Sequence, residues 1–155
     1  MRREYETPAD LKNEEAIIDV VQDWMQSKGF IRTFRKMPKM STVDYATCNG
    51  DEITSWVEVR QQSFPSNKYD AVMIDYRKVV KMLEWASWSQ IPLLFVVGYS
   101  DDEVIAWRVG HKWNKHLLGL RWLHRKAPRD SQDNAPVAMI KKDAFEIVRE
   151  GFRLQ

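Results

Sequence analysis

The stretch "PLLFVVGYS", residues 92 to 100, does most to limit what this chain can fold into. A strand with one wet face alternates apolar and polar side chains, whereas so continuous a run reads as a central strand covered on both faces. The chain must therefore supply cover for two sides of one sheet. "TPADLKNEEAIIDVVQDWMQSKGF" predicts one covering helix, with Thr7 as N-cap, Pro8 in the first turn, Asp10 three residues after the cap and Gly29 as the stop. Leu11, Ile17, Ile18, Val21, Trp24 and Met25 recur along it at helical spacing. "NKYDAVMIDYRKVVKMLEWASW" predicts the second helix, with Val72, Tyr76, Val79, Val80 and Leu83 on one stripe and Pro92 soon after its end.

The remaining strands follow from alternation. "FIRTFRKM", "TVDYATC" and "ITSWVEVRQ" form an antiparallel meander, the last two joined by the tight turn Asn49-Gly50-Asp51. Asp101-Asp102 mark a turn into a further strand, "EVIAWRV". In the tail, "DNAPVAMIKKDAFEIVREGF" reads as a short strand and then a closing helix that starts at Asp143. The expected order is α-β-β-β-α-β, then a strand, then a C-terminal strand and helix. That is an α/β fold with a mixed central sheet flanked by helices. A chain of 155 residues suits one domain over 1–155, with its core at about 8–109 and a basic, Trp-containing segment plus the closing elements at 110–155.

Charge and cysteine usage narrow the function classes. A net charge of +2 gives no global attraction to polyanions, so any phosphate contact must come from a local patch. The single cysteine, Cys48, cannot close an intramolecular disulfide and has no metal-ligand partner nearby in sequence. "MRREYETPAD" lacks the apolar run of a secretory signal, and no stretch is long and apolar enough to span a bilayer. A soluble cytoplasmic protein with no membrane association is expected. No Gly-rich phosphate loop appears, so ATP use is not expected of this chain.

"STVDYATCNGDEITSWVEVRQQS", residues 41 to 63, carries the chemistry. Trp56, Glu58, Arg60 and Gln62 share one face of the third strand, and the hairpin can bring Asp44 beside Glu58. Adjacent carboxylates repel, and each tends to hold a proton unless a cation lies between them. Mg²⁺ or Mn²⁺ removes that cost, taking hard oxygen ligands from one or two carboxylates and the rest from water and substrate phosphate. The plainer alternative is a polar sheet edge, with Asp44 in a turn and Glu58 and Arg60 solvated.

A second feature is the segment "WRVGHKWNKHLLGLRWLHRKAPRD". Arg108, Lys112, Lys115, Arg121, Arg125 and Lys126 are interleaved there with Trp107, Trp113 and Trp122, a pattern suited to phosphate contacts with aromatic support. A solvated basic face is the alternative. His111, His116 and His124 lie in the same segment, at spacings of five and eight that fit no familiar zinc pattern.

Helix, strands with "VDYA" then "VEVR", helix "YDAVMIDYRKVVKMLEWA" and strand "IPLLFVVGY" together resemble the PD-(D/E)XK nuclease superfamily over residues 8 to 109. The closing "APVAMIKKDAFEIV" is similar to small phage-type and Holliday-junction-resolvase-like members. The resemblance implies a Mg²⁺- or Mn²⁺-dependent nuclease acting on duplex or branched DNA, in a bacterial or phage-infected cell. It makes Asp44 and Glu58 metal ligands, with a first-helix Glu reaching the metal. Glu14, in line with Ile17, Ile18 and Val21, suits that place better than Glu15.

The departure is Arg60, where the family has Lys. A guanidinium stays charged and can clamp a phosphate, but it does not act as a base. In some families the Lys moves to the following helix, where Lys68, Lys78 and Lys81 are available and Lys78 is the best match; Gln62 is a further water or phosphate contact. A homodimer and an accessory helicase or other DNA-processing protein are partners such a nuclease would accommodate. Two rivals follow from the same residues: a nuclease fold kept for DNA binding or accessory roles after loss of chemistry, and an oligomeric interaction protein anchored by Trp85, Trp88, Trp113 and Trp122.

Overall fold

The computed structural model of the protein describes residues 8–110, 113–124 and 135–150. Helix α1 (Pro8–Ser27) leads into strands β1 (Thr33–Lys36), β2 (Tyr45–Asn49) and β3 (Glu52–Gln61). Next come β4 (Ala71–Asp75), helix α2 (Tyr76–Ser89), β5 (Leu93–Gly98) and β6 (Val104–Val109). A 3-10 turn at Trp113–His116 precedes β7 (Leu117–Leu123), and β8 (Ala135–Lys141) and β9 (Glu146–Arg149) close the described chain. Thr7, read as the cap of α1, lies outside the described residues.

Two sheets form. The larger has the order β1-β2-β3-β5-β6-β9 and the smaller β4-β8-β7. Among the described residues only β3 and β5 pair in parallel; the other neighbours are antiparallel. The apolar run becomes β5, at the centre of the larger sheet and buried on both faces. Leu93, Phe95 and Val97 pack toward α2 and the small sheet, with Val79, Met82, Ile74, Ala138 and Ile140. Val96, with Val57 and Ala106, packs toward Ile18 and Val21 of α1. Burying one such side chain contributes about 1.5–3 kcal/mol, so the two-sided strand anchors the whole.

Three elements differ from the sequence reading. Residues 71–75 are a strand, because Val72 and Ile74 are buried alternately rather than at helical spacing. Helix α2 starts only at Tyr76, where Asp75 caps it by accepting from the Arg77 backbone N–H at 2.9 Å. Strand β7 was not foreseen within the basic segment. The expected closing helix is replaced by a 3-10 turn at Lys142–Ala144 and the edge strand β9. A helix that short is marginal alone, whereas Ile147 gains backbone pairing opposite Ile105.

Candidate functional site

The site is made by the register of one hairpin. Gly50, with φ of 64°, allows the tight turn between β2 and β3. Tyr45 then pairs with Val57, which puts Asp44 opposite Glu58. Asp44 is held in place twice: its N–H donates to the Val57 carbonyl at 3.0 Å, and its Oδ2 accepts from the Val59 N–H at 2.8 Å. Both acids are buried, Asp44 at 7% and Glu58 at 8% exposure.

Burial and the neighbouring Asp44 push the Glu58 carboxyl well above the usual carboxylate range, while Lys78 pulls it back. The two carboxyl groups are close enough to share a hydrogen bond. Lys78 reaches across from α2: its Nζ lies 2.6 Å from the buried Glu58 Oε2 and donates to the Thr42 carbonyl. A lysine thus stands beside the acid pair, although no lysine occupies the third strand.

On the other flank, α1 buries Glu14 and leaves Glu15 exposed, as the stripe through Ile18 and Val21 requires. Lys36, at the end of β1, links Glu14 to the acid pair. Its Nζ is 2.6 Å from Glu14 Oε1, 4.0 Å from Asp44 Oδ1 and 4.8 Å above the Tyr45 ring. Burial, and then Glu14, raise the Tyr45 hydroxyl above its ordinary value. Sequence reasoning missed Lys36. The only signal that finds it is the β1–β2 register, which pairs Lys36 with Tyr45 and so sets it next to Asp44.

Arg60 donates to the Met73 carbonyl of β4 at 2.8 Å, bracing one sheet against the other. The Gln62 backbone N–H donates to Gly98, extending the β3–β5 pairing. Arg108 on β6, Lys115 in the 3-10 turn and Arg121 on β7 are all exposed but stand on three different elements. Lys112, Arg125 and Lys126, with His111, lie outside the described residues.

The donor set suits a hard divalent cation: two adjacent buried carboxylates whose repulsion such an ion would relieve. Among the described residues no three His, Cys, Asp or Glu groups converge as a complete cage, so water and substrate oxygens would have to fill the coordination sphere. Also among the described residues, no helix is long and apolar enough to cross a membrane. A family model described as "Phage putative PDDEXK endonuclease" matches residues 1–148. No curated protein sequence matches the chain.

Proposed function

The chain belongs to the phage PDDEXK endonuclease family, and on that premise we propose that it is a divalent-metal-dependent nuclease that hydrolyses DNA phosphodiester bonds at Asp44 and Glu58. The observation that carries this reading is the buried pair of facing carboxylates with a lysine 2.6 Å from one of them. Asp44 and Glu58 would hold Mg²⁺ or Mn²⁺, with Glu14 close by on α1. When bound, the ion supplies positive charge that makes an attacking water more acidic and offsets charge on the departing oxygen.

The chain's own residues do the rest. The Val59 N–H fixes the Asp44 carboxylate, so its orientation costs nothing at the moment of reaction. Lys78, anchored on the Thr42 carbonyl and 2.6 Å from Glu58, would do the work of the motif lysine, orienting water and stabilising charge on the phosphate. Arg60, with one arm on the Met73 carbonyl, serves the seam between the sheets. Arg108, Lys115 and Arg121 contact the DNA backbone.

A second reading is a DNA-binding module whose acids are neutralised by its own lysines. The ion pairs of Lys78 with Glu58 and of Lys36 with Glu14, each at 2.6 Å, favour it. Cleavage of labelled linear, nicked and branched DNA with Mg²⁺ or Mn²⁺ separates the two. We expect metal-dependent cutting that falls about 100-fold or more in Asp44→Ala, Glu58→Ala and Lys78→Met. Binding without cutting, unchanged in these variants, would leave the second reading standing.

A further inference from the structure

Lys36 stands at the site and no part of the nuclease reading uses it. Its ammonium touches Glu14 at 2.6 Å and stands 4.0 Å from Asp44, bridging one carboxylate from α1 and one from the residue just before β2. We propose that Lys36 is an internal counter-ion occupying the gap between Glu14 and Asp44, which a divalent cation must win from it in order to bind. This rests on the metal-site reading above.

Charge and geometry both support the competition. With the acids ionised, as a bound cation requires, Glu14, Asp44 and Glu58 face Lys36 and Lys78, leaving one net negative charge. A divalent ion added to that set turns it net positive, and release of Lys36 to solvent restores neutrality. Lys36 can leave: its side chain is 37% exposed, and its partners here are side chains and the Tyr45 ring. Lys78 is tied to a backbone carbonyl as well as to Glu58, and it stays. Like charges so close repel strongly at the rim of a protein interior, so an ammonium that cannot withdraw weakens metal binding.

The test is calorimetric titration of the metal-free protein with Mn²⁺ alone, without DNA, for wild type, Lys36→Met, Lys36→Gln and Lys36→Arg. Removal of the charge should tighten Mn²⁺ binding about tenfold, or about 1.4 kcal/mol. Lys36→Arg, which keeps the charge, should bind no tighter than wild type. Thermal melting in the same buffers reports folding independently: Mn²⁺ should raise the midpoint of Lys36→Met and Lys36→Gln more than that of wild type. Unchanged or weaker Mn²⁺ affinity in the folded Lys36→Met or Lys36→Gln protein would overturn the proposal. Binding that depends on Asp44 and Glu58 yet ignores Lys36 sinks only the counter-ion. Binding that survives Asp44→Ala and Glu58→Ala sinks the metal site itself, and the counter-ion with it.

Discussion

Burial and Asp44 act on Glu58 in one direction, and Lys78 acts against them. The net effect is a folded-state carboxyl that keeps its proton at higher pH than the same group in the unfolded chain, whose ordinary value is 4.5. Over that window the native state binds the extra proton, so stability is fully present below the ordinary value and is lost as pH rises through the raised one. Glu58→Gln is uncharged throughout and removes this contribution. In chelator, melting of wild type and Glu58→Gln between about pH 5 and 8 should therefore diverge, the variant gaining relative stability as pH rises. Parallel profiles would show that Lys78 compensates Glu58 fully. The acids themselves were legible in the sequence, because short-range alternation and a tight turn set their register. Lys36 was not, since nothing local to β1 says which residue of β2 it will oppose.

At the scale of elements, α1 positions Glu14, and its approach to the sheet is set by Gly98. A methyl group built at Gly98 would lie 2.5 Å from Ile17 Cδ1 and 2.9 Å from Cγ1. Gly98→Ala therefore forces Ile17 to move or pushes the helix away from β5. We expect a loss of about 1–3 kcal/mol, or several degrees in melting temperature, together with weaker Mn²⁺ binding as Glu14 withdraws. Melting unchanged within a degree would mean that Ile17 rotates freely and that α1 is not seated by this contact. The sheet-flanking helices and β5 were legible because their periodicities are long and unmixed. Residues 71–75 were not, since Val72 fits the helical stripe of α2 as well as it fits the alternation of β4. Only pairing with β8, which lies more than sixty residues on, decides between them. The same holds for the end of the chain, where the open edge of β6 draws Ile147 into a strand.

At the scale of the whole molecule, the six-stranded and three-stranded sheets share one apolar core, and Arg60 crosses between them to the Met73 carbonyl. From the sequence, Arg60 reads as a phosphate contact because it follows Glu58 by two residues on one face. The small sheet that receives it is hidden from the sequence, where β4 reads as the first turn of a helix. The two roles make opposite demands on the same variant. If Arg60 serves the seam, Arg60→Met leaves the Met73 carbonyl without this donor and costs about 1–3 kcal/mol. For a chain of this size that lowers the melting temperature by roughly 3–10 °C. Cutting measured well below that temperature should then stay within about threefold of wild type, since Lys78 remains beside Glu58. If Arg60 grips the scissile phosphate, melting holds and kcat/KM falls about 100-fold or more. Melting curves and cutting rates on one preparation of Arg60→Met separate the two, with Arg60→Lys as the companion variant that keeps a donor but loses the planar fork.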